Sequence, residues 1–204
     1  MCDYSKTCYN IFMNDQDINV LVKQLKEEKT YIICALPVEA NKTKGIFYSG
    51  LGKVNAVIKT MEIIHVHKAK RIINYGSCGA LNNKVNGVIK INKFLQHDID
   101  CSPIGYEKGL TPFDDIQEII SPNDHGYTCA TGDYFVSDNQ SINADVVDME
   151  AYAIAKTCKI SNIQFECYKY ISDNADNDAP ENWEKNCSKG FMIFMKQLKQ
   201  LNRI

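Results

Sequence analysis

The sequence predicts an α/β protein in which helices cover a mainly parallel sheet. Three observations carry that prediction. Short apolar runs of strand length alternate with longer stretches of helical periodicity. Glycines follow several of those runs, where tight exits from strands need them. No repeat, low-complexity tract or linker breaks the alternation over the 204 residues. Hydrophobic residues make up 45% and charged residues 24% of the chain, which excludes overall disorder. A chain of this length buries roughly two-thirds of its unfolded surface, so one domain holds together without disulfide or metal staples.

The elements follow in order. Residues 1–14 are polar and mixed and read as a loose arm. Residues 16–28 carry Ile18, Val20, Leu21, Val22 and Leu25 at helical spacing, with Asp15 or Asp17 as the cap. Residues 1–29 are therefore expected to form an arm and a helix, and residues 30–204 a single domain. Residues 30–36 form a continuous apolar run, as in a strand buried on both faces. A second strand is expected at 45–51, ending in Gly50-Leu51-Gly52. Lys53 to His67 then shows a helical stripe through Val54, Val57, Ile58, Met61 and Ile64. Arg71 to Tyr75 reads as a strand followed by a turn at Gly76-Ser77-Cys78-Gly79. Residues 84–95 read as strand or hairpin, 97–128 as loop, and Tyr127 to Val136 as strand and turn. Val146–Lys159 is expected as a helix, Gln164–Ser172 as a strand, and Trp183–Leu201 as one closing helix.

Composition narrows the partners. The net charge of −2 and pI near 6.1 argue against nucleic acid. Only Arg71 and Arg203 are arginines, so no phosphate site can be built from several bidentate guanidinium forks. The nine cysteines are scattered without a Cys-x-x-Cys pair and read as reduced thiols, which with the absence of a signal-peptide pattern predicts a cytoplasmic protein. No apolar run approaches ~20 residues, so no membrane span is expected. The sequons at Asn41, Asn139 and Asn186 read as chance products of the asparagine content. His65 and His67, two apart on a helix, point apart and cannot share a metal; His97-Asp98-x-Asp100 lacks a further ligand.

Ligands of open α/β sheets bind at the carboxyl ends of strands. The residues expected there are Glu39, Gly50-Leu51-Gly52, Gly76-Ser77-Cys78-Gly79, Gly132-Asp133-Tyr134-Phe135-Val136, Asp148-Met149-Glu150 and Ser172-Asp173-Asn174. Carboxylates, a serine, glycines and an aromatic ring on one rim suit a polar small molecule with hydroxyls and a flat ring.

Seven segments, in order, resemble the nucleoside phosphorylase/nucleosidase superfamily, and within it the methylthioadenosine/S-adenosylhomocysteine nucleosidases. They are Ala35-Leu36-Pro37-Val38-Glu39, Ser49-Gly50-Leu51-Gly52-Lys53-Val54, Asn74 to Leu81, His97 to Gly109, Thr131 to Val136, Val147 to Ala151, and Ile171 to Asp176, running from about residue 31 onward. The resemblance implies a three-layer αβα sandwich with a mixed, mainly parallel central sheet. It implies one catalytic domain over 30–204, no metal or organic cofactor, and a homodimer.

The same resemblance implies roles. Glu39 resembles the base that activates the attacking water, with Ser77 and Lys169 helping to hold that water and the ribose side. Met149 and Glu150 would bind ribose, Phe135 would stack on the base, and the Val136 backbone would read its edge. Asp173 would protonate purine N7. Leu51 and Trp183 fall where the family lines its 5′ pocket, and Gly79 belongs to the substrate-binding turn. The chemistry is coherent: a protonated acid improves the purine as leaving group while an ionised base prepares water on the opposite face of the sugar. The family carries arginine where this chain has Lys169, and the stretches from Glu39 to Gly50 and from Gly109 to Gly132 are shorter here. Hydrolysis of an adenine nucleoside is the expected reaction. Phosphorolysis is the alternative, disfavoured by the scarcity of arginine and by Asn74 ahead of the glycine-serine turn. A catalytically inactive nucleoside-binding protein is a third reading.

Overall fold

The computed structural model describes residues 13–82, 84–121, 126–138 and 142–201. Residues 1–12 of the expected arm, with Cys2 and Cys8, the Asn139 sequon and Arg203 lie outside the described residues.

The first helix, α1 (Asp15–Glu27), is capped by Asn14 rather than by an aspartate. The Asn14 side chain accepts from the Asp17 amide at 2.9 Å, and Asp17 accepts from the Asn14 amide at 3.0 Å. Two orphan donors are satisfied by this reciprocal box. The strands are β1 (Thr30–Cys34), β2 (Phe47–Tyr48), β3 (Arg71–Ala80), β4 (Val88–Gln96), β5 (Glu118–Ile120), β6 (Tyr127–Thr131), β7 (Val146–Asp148) and β8 (Gln164–Asp173). The other helices are α2 (Lys53–His67), α3 (Ala151–Ile160), α4 (Ala179–Asn186) and α5 (Phe191–Leu201).

The strands form one mixed sheet. β1 lies parallel between β2 and β3, and β3 runs parallel to β8. β8 then pairs antiparallel with β4, β4 parallel with β6, β6 parallel with β7, and β7 antiparallel with β3. The pairing therefore closes through β3, β8, β4, β6 and β7, giving a mixed, barrel-like sheet; the plain alternation of the sequence does not show that closure. Its cause is strand length. β4 pairs with β8 through Val88–Ile91 and with β6 through Ile91–Gln96, so each end of a long twisted strand finds a different neighbour. β5 covers the other edge of β4.

Helices pack on both faces of β1. Ile32 and Cys34 meet Leu21 and Leu25 of α1 and Phe191 and Phe194 of α5. Tyr31 and Ile33 point the other way, toward Ile63 and Ile64 of α2 and Ile154 of α3. This period-two division of one continuous apolar strand is what places helices on either side. Each fully buried leucine or isoleucine contributes about 1.5–3 kcal/mol over exposure.

β2 is shorter than the strand expected at 45–51, β5 lies within the stretch read as loop, and three further boundaries differ from the sequence expectation. Val146–Asp148 is strand, not the first turn of a helix: its β-branched residues pair with β3 and β6, and α3 starts at Ala151. The closing helix is two helices, α4 ending at Asn186 and α5 starting at Phe191; between them Gly190 packs so closely on the Tyr170 ring that no Cβ fits there. β3 continues through Gly76-Ser77-Cys78-Gly79 instead of turning, held by β8 along its length. The α2 stripe also behaves unexpectedly. Val54, Val57, Ile58 and Met61 are exposed, and Ala56, Thr60, Ile63 and Ile64 form the buried face.

Candidate active site

A cavity of about 260 Å³ opens at the carboxyl ends of β1, β3, β7 and β8. Glu39, Ser77, Gly79 and Asp173 line it, as do Leu51, Phe135, Val136, Met149, Glu150 and Trp183. Of the residues given a role through the family resemblance, Lys169 alone does not line the cavity; Gly50, Gly52, Gly76, Gly132, Asp133, Ser172 and Asn174, also expected at the strand ends, do not line it either. Ala35, Leu36, Cys78, Tyr134, Val147 and Asp148 complete the wall.

Glu39 sits on a 3-10 turn, Pro37–Ala40, directly after β1. Pro37 suits the start of such a turn, where its fixed φ helps and its missing N–H costs nothing. Glu39 is buried, yet both carboxyl oxygens are fully engaged. Oε1 accepts from the Ser77 amide at 2.7 Å and the Ser77 hydroxyl at 2.6 Å; Oε2 accepts from the Leu36 amide at 2.9 Å and the Cys34 thiol at 3.4 Å. The Trp183 indole N–H, from α4, donates to Ser77 Oγ at 2.9 Å.

Asp173 lies at the other end, at the tip of β8. The β3–β8 register slips there: Ile171 faces Cys78, but Asp173 faces Gly79, so Ser172 is bulged out. A Cβ on Gly79 would stand 2.8 Å from Asp173 Oδ1 and 3.3 Å from Val147, so this glycine exists for close approach rather than for a turn. The Asp173 carboxyl accepts from the Ser172 hydroxyl at 2.7 Å and the Ala175 amide at 3.0 Å. Burial raises Asp173 above the usual carboxylate range and Asp176 adds to the rise, while the two hydrogen bonds oppose it.

Between these ends stand Met149 and Glu150, ahead of α3. Glu150 Oε1 accepts from the Gly52 amide at the start of α2, at 2.8 Å. Burial, followed by the Asp148 charge, pushes Glu150 up to about 8 against the pull of Lys169. Gly52 has φ +89°, which favours glycine and lets the chain turn its amide toward Glu150.

Lys169 stands behind this wall. Its ammonium meets Asp148 Oδ2 at 2.7 Å, and both side chains are 1% exposed. Burial would lower the lysine, but the Asp148 charge holds it well above its usual range. Burial alone would raise Asp148; Lys169 and the Thr131 hydroxyl hold it below. Asp148 also accepts from Thr131 Oγ1 at 2.6 Å and from the Ala151 amide at 2.8 Å. It thus ties β6, β8 and the first turn of α3 together beneath Met149 and Glu150. Its place two residues before Glu150, in a strand rather than a helix, is the signal that a purely helical reading of 146–159 hides.

The loop carrying Tyr134, Phe135 and Val136 is fixed at its root. Asp133 accepts from the Lys53 amide at 2.7 Å, and the Asp133 amide donates to Asp98 Oδ2 at 2.7 Å. Lys53 Nζ pairs with Asp98 at 2.5 Å. Phe135 remains 43% exposed above this base, a ring free to cover a ligand. His97 is buried edge-on to Tyr134. Among the described residues no group of three His, Cys, Asp or Glu side chains is placed to hold a metal ion.

Two differently held carboxyl groups, a third buried carboxyl at Glu150 and an exposed ring meet in one largely apolar cavity, an α/β enzyme site for a small molecule. The chain belongs to the phosphorylase superfamily, whose family model matches residues 14–201. That match takes in α1, which the sequence resemblance did not reach. The chain is 34% identical over 163 residues to the 5′-methylthioadenosine/S-adenosylhomocysteine nucleosidase of Buchnera aphidicola subsp. Acyrthosiphon pisum (strain APS), covering 68% of this chain and 70% of the relative. It is 32% identical over 189 residues to the enzyme of that name from Exiguobacterium sp., covering 76% and 81%. The fold is shared with Helicobacter pylori futalosine hydrolase, at TM-score 0.76 and 20% identity over 86% of this chain and 97% of that one. It is shared equally with the H. pylori methylthioadenosine/S-adenosylhomocysteine nucleosidase, at TM-score 0.75 and 21% identity over 86% and 98%.

Proposed function

We propose that this chain hydrolyses the N-glycosidic bond of an adenine nucleoside with a modified 5′ group, such as 5′-methylthioadenosine or S-adenosylhomocysteine. The observation that carries the reading is the pair of buried carboxyl groups at opposite ends of one cavity. One is packed among hydrogen-bond donors, and the other is raised toward its protonated form. Glu39 and Asp173 meet β3 near Gly76 and Gly79 respectively, three residues apart, roughly 10 Å at the rise of a strand. That leaves room for a sugar between them.

In this reading, water bound against Glu39 and Ser77 attacks C1′ and gives its proton to Glu39. The C1′–N9 bond breaks, its electron pair passes into the purine, and Asp173 delivers a proton to N7. Met149 and Glu150 hold the ribose, Phe135 covers the base, the Val136 backbone reads its edge, and Leu51 and Trp183 face the 5′ group. Gly79 lets Asp173 come close. Lys169 acts from behind through Asp148. Phosphate is disfavoured as nucleophile because Arg71 stands at the far end of β3, bonded to Thr30 and Glu166.

The exposed Val54, Val57, Ile58 and Met61 face of α2 supports a homodimer, since an apolar stripe beside the cavity is otherwise left in water. Residues 30–204 are read as the catalytic domain, an αβα sandwich, with α1 packed against β1 and α5. A cytoplasmic setting fits the seven free cysteines among the described residues, six of them buried. No helix among those residues is long and apolar enough to cross a membrane.

The test is chromatography of the purified protein with methylthioadenosine, S-adenosylhomocysteine, adenosine, inosine and futalosine, with and without phosphate. Adenine released without phosphate is expected. Release that requires phosphate would make it a phosphorylase, and no release from any of them would leave a binding protein.

A further inference from the structure

We propose that Trp183 is a positioning residue for the base, acting through Ser77, in addition to facing the 5′ group; this rests on the hydrolase reading of Glu39. The Trp183 indole N–H donates to Ser77 Oγ at 2.9 Å, and the Ser77 hydroxyl donates to Glu39 Oε1 at 2.6 Å. The polarity of this chain is fixed by chemistry. An indole N–H can donate but not accept. With its oxygen accepting from the indole, the serine hydroxyl has its own hydrogen left for Glu39. The hydroxyl rotor is therefore locked, and with it the orientation of the Glu39 carboxylate beside the position of the attacking water. A phenyl ring would fill the same space and leave the rotor free.

The helix that carries Trp183 is itself held in place. Asn186, three residues on and on the same side of α4, donates to the Ser172 carbonyl at 2.9 Å. Ser172 in turn donates to Asp173. One short helix thus reaches Glu39 through Trp183 and Ser77, and the acid end through Asn186 and Ser172. The three-residue spacing of Trp183 and Asn186 is what allows one helix face to reach both ends.

Two measurements test the proposal. The first is a double-mutant cycle on kcat and KM with Trp183→Phe, Ser77→Ala and the pair. Trp183→Phe should lower kcat about tenfold, the worth of one such hydrogen bond, with KM little changed. In the Ser77→Ala background the same change should cost no further kcat, because the route through Ser77 is already cut. Equal losses in both backgrounds, or a loss confined to KM, would mean that Trp183 acts only by contact with substrate and would overturn the proposal. The second measurement needs no turnover. Trp183 is the one tryptophan in the sequence, so the intrinsic indole emission reports this ring alone. Ser77→Ala should move that emission to shorter wavelength as the indole loses its acceptor. Unchanged emission would overturn the contact itself. If the unmodified protein releases no base from any nucleoside, the hydrolase reading fails, and the emission still decides whether the contact exists.

Discussion

Glu39 and Asp173 occupy two ends of one cavity, and the protein holds them by opposite means. Glu39 is surrounded by donors: two backbone amides, a hydroxyl and a thiol converge on its two oxygens. Asp173 has fewer donors and more burial than solvation, so its carboxyl is raised. The difference teaches how one scaffold gives two carboxyl groups unlike surroundings, as the proposed base and acid require. Hydrogen-bond donors crowd Glu39, whereas at Asp173 burial, beside a glycine that lets the wall close in, raises the carboxyl.

The comparison can be broken most severely at the acid. Asp173→Asn should reduce kcat by about 10²–10⁴-fold, the range of a positioned general acid, with the melting temperature little changed. Near-normal turnover would assign the acid elsewhere. Glu39→Gln should lower kcat by about 10²–10³-fold. A larger loss of folded protein than of activity per folded molecule would mean that the donors around Glu39 serve structure first. Lys169→Met leaves Asp148 buried without its partner and should destabilise the fold by about 3–5 kcal/mol, read as a lowered denaturation midpoint. A neutral result would show that the pair is dispensable beneath Met149 and Glu150.

The pH dependence sharpens the contrast. Glu150 is pushed up to about 8, above its unfolded range. The folded protein therefore binds an extra proton between the ordinary glutamate range and about pH 8. Its contribution is fully present below that range and is lost as pH rises through about 8. The melting temperature of the ligand-free protein should fall across this window, and Glu150→Gln should flatten the fall; an unchanged slope would place the titrating group elsewhere. The smallest effect on the fold is expected on α2. Ile58→Lys should change stability by no more than about 0.5 kcal/mol, since the side chain is exposed. It should shift the mass of the proposed homodimer toward that of a monomer; a dimer left unshifted would place its interface on another face, and a monomeric parent protein would remove the homodimer proposal.

Legibility in the sequence varied with the range of the interaction. The bounds of α2, Lys53 to His67, and the strand at Thr30–Cys34 were readable from local periodicity. The direction of the α2 stripe was not, because periodicity reports an apolar face but not what covers it. α1, with similar spacing, buries Ile18, Leu21, Val22 and Leu25 against β1 and α5. Gly76 and Gly79 were read as turn glycines, the local reason for glycine, whereas neither has positive φ and both lie in β3. Gly79 is there to admit Asp173, a contact across ninety-four positions of sequence that no local window contains. Lys169 was named only through the family resemblance, and nothing local in the sequence pairs it with Asp148 behind the wall.

The sequence by itself determined the α/β class and the supply of carboxylates, serine and aromatic residues at strand ends, which follow from residue type and short-range spacing; the family was legible only as a resemblance carried by seven ordered segments. Only the tertiary structure decided that the sheet closes on itself, that a bulge at Ser172 aims Asp173 at Gly79, and that an indole from α4 reaches a serine 106 residues away. Each of those depends on strand twist, register and packing between distant segments. A linear pattern leaves such contacts open, and they are settled only when the chain closes around a common core.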